Sequence, residues 1–361
     1  MAATRKAIIY YGGFAFRGGG AFMHAKVMRL ELQRAGWDVD LVTLESLPLP
    51  VRFLPHIVGK VVNRFNPPMG FYYKDRLTRL LYKRFLDRDV QLRIFEDVYL
   101  SWNSRTPSAT LLHAAWSDNL HSISAHPRAV LRLVKSEERV IDSITHPVIT
   151  VSDAYRDFLL ASHSGSCRLP HVSVVPLGLD LAEFDIGGQL QRAAKSLVFC
   201  GSLEARKNLR FLLDVFRHLH ESDAGYRLTI IGDGPDRADL ERYALQHALP
   251  VIFRGWLGRE AVIRELHQHS LYVHPSVKES FSYSLLEAKL VGLKTVAYKG
   301  LEVPAEFIDV PVASFEAAEW LGAIRHADVV VPKEVDTSSY SSKTQMLNTL
   351  ELAFSSAEGM P

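Results

Sequence analysis

Short apolar runs alternate with longer helical repeats along most of this chain. Ala7 to Tyr11 is a continuous apolar run of strand length, closed by Gly12-Gly13 and then Gly18-Gly19-Gly20. Ala21 to Ala35 places Phe22, Val27, Leu30 and Ala35 at helical spacing, and Gly36 marks a stop. Val39 to Val42 is the next strand. Strand, glycine loop, helix and strand make a βαβ unit, which implies a parallel sheet. Strands are predicted again over Ala109–His113, Val148–Val151 and Val172–Val175, with a helix over Val130–Ile144 and a capping Ser152-Asp153.

The second half repeats the rhythm. Strand Leu197–Cys200 precedes a helix over Asn208–His220. Strand Tyr226–Ile231 precedes Gly232-Asp233-Gly234-Pro235 and a helix over Asp236–His247. Strand Val251–Phe253, a helix near Arg259–His269, strand Leu271–His274, a helix over Ser282–Leu290 and strand Thr295–Tyr298 follow. The expected fold class is α/β, with two doubly wound, Rossmann-like domains. Ligands bind such sheets outside the carboxyl ends of the strands. The expected division is an N-terminal domain over 1–178, a linker over 179–195 containing Gly187-Gly188, a C-terminal domain over 196–338, and a helix with tail over 339–361.

Length and composition narrow the class without naming a partner. The 361 residues exceed one ordinary core, and 47% apolar with 23% charged residues suits a globular protein. The formal net charge is only +2, and the two cysteines, Cys167 and Cys200, form no metal-ligand pattern. The apolar stretch after Lys6 is too short for a secretory core, and no apolar run reaches bilayer length. The expectation is a cytoplasmic protein, with attachment to a membrane surface left open.

Residues 51–95 break the rhythm. Arg52, Lys60, Arg64, Lys74, Arg76, Arg79, Lys83, Arg84, Arg88 and Arg93 face only Asp75, Asp87 and Asp89, and aromatics are interleaved. A helix over Arg76–Phe85 would gather Leu77, Leu80, Leu81 and Phe85 on one side. Two readings stand: a solvated basic face over a core helix, or a surface for anionic lipid or a phosphorylated acceptor. No nucleic-acid module is present, which argues against that partner.

The chemistry concentrates in the second half. Glu279-Ser-Phe-Ser-Tyr-Ser-Leu-Leu-Glu287 puts one carboxylate in a strand-end loop and another in the following helix, whose N-terminus offers free N–H groups to an anion. Helical spacing would separate the two Cα atoms by roughly 12 Å, which fits an acid and nucleophile pair poorly; on spacing alone the two read as a capping acid and a solvated helix Glu. Upstream, Gly201-Ser202-Leu203-Glu204-Ala205-Arg206-Lys207-Asn208 is a strand-end loop with adjacent cations, a pattern that holds phosphate or is plain surface.

Taken in order, these pieces resemble the family 4 glycosyltransferases, the retaining group with the GT-B fold. Val148 to Tyr155, Val174 to Phe184, Gly201 to Asn208, Ile231-Gly-Asp-Gly-Pro-Asp, Phe253-Arg-Gly-Trp, and His274-Pro-Ser276 with Glu279 and Glu287 are similar to the family's segments over nearly the whole length. The resemblance implies two facing domains, with the C-terminal helix crossing back to the first. It implies that Lys207 and Arg206 hold the donor phosphates, with Ser202 in the same loop. Glu287 would bind the ribose, Glu279 the donor sugar, and Arg254-Gly255 would lie against the base. Phe281, Ser282 and Tyr283 would bring amides to the diphosphate. Gly19 and Gly20 would let the first loop approach donor or acceptor, and His113 would be the histidine beside the transferred sugar. Ser202 and Leu177 depart from the family pattern, which usually has Arg and Asn there.

The implied reaction is retaining transfer of a hexosyl unit from a UDP- or GDP-sugar to a hydroxyl of a glycan or lipid-linked acceptor, as in bacterial surface polysaccharide or lipopolysaccharide assembly. No cofactor and no metal are expected, because cations and amides can hold the leaving diphosphate. A same-fold epimerase or hydrolase acting without an acceptor, and a non-catalytic nucleotide-sugar-binding subunit, remain alternatives.

Overall fold

The computed structural model describes residues 5–15, 19–66, 69–117, 127–185 and 192–358. Gly18 and Gly187-Gly188 lie outside them. The chain forms two compact units, one of residues 1–180 with 338–361 and one of residues 181–337.

Unit 1 is built on six parallel strands. These are β1 (Arg5–Tyr10), β2 (Trp37–Val42), β3 (Leu92–Phe95), β4 (Ser108–Leu112), β5 (Val148–Thr150) and β6 (Ser173–Val174), in the order β2-β1-β3-β4-β5-β6. Strand order reverses between β1 and β3, so the loops after these two strands flank a switch point. Its helices are α1 (Gly20–Arg34), α2 (Leu49–Arg52), α3 (Leu54–Phe65), α4 (Gly70–Phe85), α5 (Pro127–Ser143) and α6 (Asp153–Ser162). Tyr10 sits at the centre of one core, stacked on Phe95 at 5.2 Å and edge-on to Trp102 at 4.8 Å. Buried Tyr82 of α4 donates its hydroxyl to the Tyr11 carbonyl at 2.7 Å, tying that helix to the end of β1.

Unit 2 has the order β12-β11-β10-β7-β8-β9, also parallel throughout. The strands are β7 (Ser196–Cys200), β8 (Arg227–Ile231), β9 (Val251–Gly255), β10 (Leu271–His274), β11 (Lys294–Tyr298) and β12 (Val310–Val312). They alternate with α7 (Leu209–Ser222), α8 (Arg237–Gln246), α9 (Arg259–His267), α10 (Tyr283–Leu290) and α11 (Ala317–His326). Here the switch point lies between β7 and β10. Trp320, Phe199, Phe216 and Val273 are fully buried in its core. A buried ion pair, Lys289 Nζ to Asp309 Oδ1 at 2.6 Å, fixes α10 against the strands, and the other Asp309 oxygen accepts from Thr295 N at 2.9 Å.

The last helix, α12 (Ser342–Glu358), belongs to unit 1. Ser342 donates to Glu31 of α1 at 3.0 Å, Gln345 accepts from Gly178 N at 2.8 Å, and Leu179 bridges Ser341. Gly178 and Leu179 are thereby tied to the start of α12.

Residues 51–95 differ from expectation in two ways. Leu92–Phe95 is a fully buried strand, not part of a basic surface. Arg93 within it is buried and paired with Asp87 at 3.0 Å. The helix expected over Arg76–Phe85 is α4, but its inward stripe is Asp75, Thr78 and Tyr82, whereas Leu80 and Phe85 are 59% and 49% exposed. Leu77 and Leu81 are half-buried, with Leu81 packed against the core around Tyr10, so only part of the expected apolar side faces solvent.

Candidate active site

In unit 2 the loop after β7 meets the loop after β10. Residues Ala205–Lys207 form one turn of 3-10 helix, and Asn208, in left-handed conformation at φ +53°, redirects the chain into α7. Val277 N donates to the Arg206 carbonyl at 3.0 Å, and Glu302 N donates to the Glu279 carbonyl at 3.1 Å. The first bond holds the two loops together, and the second ties the loop after β10 to the loop after β11. The loops after β7, β8 and β9 are laced by backbone alone: Gly201 N bonds Ile231 O, and Gly232 N bonds Gly255 O. A Cβ on Gly232, whose φ is +130°, would meet Gly201 O at 1.9 Å, so only glycine fits.

The result is a buried ionic hub. Lys207 Nζ donates to Glu279 Oε1, His274 Nε2 lies 3.2 Å from the same oxygen, and Arg206 Nη1 reaches Glu279 Oε2 at 3.3 Å. Lys207 and Glu279 are each under a tenth exposed. Burial alone would raise the Glu279 carboxyl, but the Lys207 charge, the His274 contact and Arg206 hold it well below the ordinary value. Arg206 also pairs with Glu204 at 2.7 Å, and Ser202 donates to that Glu204 carboxylate at 2.8 Å. Ser202 and Arg206 thus meet on one carboxylate.

Glu287 stands one turn inside α10 and has its own partner. Arg259, the first residue of α9, donates to Glu287 Oε1 at 2.8 Å and also pairs with Glu183. Burial pushes the Glu287 carboxyl above its ordinary value despite Arg259. Arg259 and Glu183 carry no sequence signal for this role; their partnership comes from packing, with the guanidinium also 5.2 Å from the Phe184 ring.

The remaining expected residues are placed as follows. Ser282, at φ +66°, caps α10 by accepting from Leu285 N at 3.4 Å, while the Phe281 ring is buried against Phe307 and Tyr283. Arg254 on β9 is paired with Glu265 at 2.9 Å, and Gly255 has φ +69°. Gly19 is the N-cap of α1, with open space where a Cβ would project, and Gly20 begins the helix.

Unit 1 contributes a second cluster, at its own switch point. His113, directly after β4, lies with Nε2 2.8 Å from Glu96 Oε2, at the end of β3. The same oxygen lies 2.7 Å from Nδ1 of His24, in the second turn of α1. Burial would raise the Glu96 carboxyl, but the two histidines bring it below its ordinary value. Burial lowers the His113 imidazole, with Glu96 opposing. Neither Glu96 nor His24 stands out in the sequence.

The site groups fall in both units: Gly19, Gly20 and His113 in the first, and Ser202, Arg206, Lys207, Arg254, Gly255, Glu279, Phe281, Ser282, Tyr283 and Glu287 in the second. Residues 194–325 match the family described as "Glycosyl transferases group 1". A 131-residue stretch is 33% identical to a GDP-mannose-dependent alpha-(1-6)-phosphatidylinositol dimannoside mannosyltransferase of Mycobacterium tuberculosis, covering 34% of this chain and 34% of the relative. The match thus spans about a third of that relative's length. Over 317 residues, 76% of this chain and 66% of the relative, it is 21% identical to the alpha-monoglucosyldiacylglycerol synthase of Streptococcus pneumoniae. The fold is similar to sucrose-phosphate synthase from Thermosynechococcus elongatus, with TM-score 0.69 and 16% identity over 97% of this chain and 94% of that one. It is also similar to Anabaena HepE in complex with UDP and glucose, with TM-score 0.61 and 15% identity over 98% and 97%. The chain therefore has the GT-B fold, and its residues 194–325 are a glycosyl transferases group 1 domain.

Proposed function

We propose that this chain is a retaining glycosyltransferase that moves a hexosyl unit from a UDP- or GDP-sugar to a hydroxyl of a glycan or lipid-linked acceptor. The observation that carries the reading is the hub of Lys207, Arg206, His274 and Glu279 at the switch point of the second sheet, beside the start of α10. As the bond from sugar C1 to the diphosphate oxygen breaks, negative charge grows on the leaving group. Lys207 is buried and fixed. Arg206, whose side chain is 35% exposed, can turn from Glu204 to a phosphate. Together with amides near Ser282 they stabilise that charge. Glu279 keeps Lys207 aimed. Glu287 accepts from the ribose hydroxyls in place of one Arg259 bond. No side chain is assigned as a nucleophile, so the acceptor attacks on the face the leaving group departs from, and a phosphate oxygen takes its proton. These charges make a metal unnecessary, and turnover is expected to persist in EDTA.

UDP and GDP are both retained as donors because HepE is complexed with UDP and the mycobacterial relative is GDP-mannose-dependent. A lipid-linked acceptor is favoured because two relatives are named for acting on lipids, and because α3 presents Phe53, Ile57, Val61 and Phe65 outward beside Lys60 and Arg64. The setting proposed is surface polysaccharide or lipopolysaccharide assembly at the cytoplasmic face of a membrane.

A thermal-shift screen across UDP, GDP, ADP and CMP tests the donor site, with stabilisation expected from UDP or GDP. Lys207→Ala is expected to lower kcat on the order of a hundredfold at saturating donor. Near-normal turnover of that variant would remove Lys207 from the mechanism.

A further inference from the structure

We infer that Glu96 is a positioning residue that holds His113 in its Nε2–H form and leaves Nδ1 as a hydrogen-bond acceptor for a hydroxyl of the bound sugar. The choice of a sugar as the ligand rests on the transferase reading; the ring state does not.

One carboxylate oxygen, Glu96 Oε2, receives both rings, His24 at 2.7 Å and His113 at 2.8 Å. An ionised carboxylate only accepts, so each facing nitrogen must carry a proton. A protonated Glu96 would serve one ring through its single hydroxyl proton and still need an N–H from the other. The ionised form satisfies both, and the two rings hold the carboxyl down against its burial. His24 is fully buried, and its Nε2 has no partner among the described residues. The proton that follows from this geometry is the one on His24 Nδ1, facing Glu96. Glu96 is then an ionised acceptor shared by two ring N–H groups.

His113 completes the assignment. Its Nε2 is committed to Glu96, and its side chain is 14% exposed, so it alone of the three reaches solvent to any extent. Burial disfavours its charged form. At neutral pH, Nδ1 therefore carries a lone pair. A histidine without such a partner exchanges between tautomers and offers a donor or an acceptor at random. The Glu96 bond removes that choice, as second-layer carboxylates do for working histidines elsewhere. The three side chains come from α1, β3 and the end of β4, which meet at the switch point of the first sheet.

The ring state is read directly by long-range proton–nitrogen NMR of the full chain with labelled histidine, the His113 signals being identified by their loss in His113→Asn. A protonated Nε2 and bare Nδ1 for His113 are expected. The opposite tautomer, or an averaged pair, would overturn the assignment whether or not the chain transfers sugar. In Glu96→Gln the tautomer should scramble, and kcat should fall roughly tenfold to a hundredfold with a smaller change in donor KM. The acid limb of its pH profile should move to lower pH, because the charge that supports imidazolium is gone. An unchanged profile with only less folded enzyme would mean Glu96 is structural and overturn the role. If Glu96→Gln does not fold, the wild-type tautomer decides. Zn2+ titration by calorimetry is the remaining arm: one equivalent bound, and lost in His24→Asn, would make the cluster a metal site instead.

Discussion

Two carboxylates, buried Glu279 and half-buried Asp97, are shifted in opposite directions. Glu279 is held well below its unfolded value of 4.5 once the cations outweigh its burial. A depressed carboxyl contributes stability above the unfolded value and loses it as pH falls through the folded one. The stability gap between wild type and Glu279→Gln should be widest near pH 7 and shrink below about 4.5, as measured by urea unfolding across pH. Asp97 is the reverse. Its burial, and then the Asp75 charge, raise it well above 3.8. The raised carboxyl costs stability as pH rises past that value, so Asp97→Asn should stabilise at pH 7 and be neutral near pH 3. Asparagine keeps the bond accepted from Tyr99 N at 2.9 Å. A loss of stability at pH 7 would show that the Asp97 charge has a partner that offsets its burial.

At the scale of elements, legibility followed from whether a role was local. Strands such as Leu197–Cys200 were readable because both faces are buried and the whole run is apolar. Strand Leu92–Phe95 was not, because Arg93 interrupts it and finds Asp87 only through folding. Strand Val310–Val312 contains Pro311 and lies at the sheet edge, where a missing N–H is tolerated. The loop pair around Lys207 and Glu279 was legible from charge and position. Glu96 was not, since its partner His24 is 72 residues away and meets it only through the sheet order. Helix α3 was hidden inside a charge count, yet it shows the clearest surface pattern. Ile57, Val61 and Phe65 are 55%, 53% and 80% exposed at four-residue spacing. Ile57→Asp with Phe65→Asp should lower binding to phosphatidylglycerol vesicles about tenfold or more without shifting Tm, because neither side chain is in the core. Unchanged sedimentation with vesicles would count against a membrane role for this face.

Over the whole molecule, the first unit is completed by the last helix. Helix α12 buries Met346, Thr349 and Ala353 within it, and Ser342 and Gln345 supply hydrogen bonds to Glu31 and Gly178. Truncation after Thr337 should lower the melting of the first unit by roughly 10 °C or abolish it, while residues 181–337 keep their own transition in calorimetry. A single transition at the wild-type temperature would show that α12 is dispensable. The same closure bears on biosynthesis. Most multidomain chains finish their domains in the order they leave the ribosome. Here the middle portion can close while the opening portion waits, its α1 face uncovered, until residues 338–358 emerge. A newborn chain is thus expected to hold its second unit formed while its first unit still lacks its closing helix.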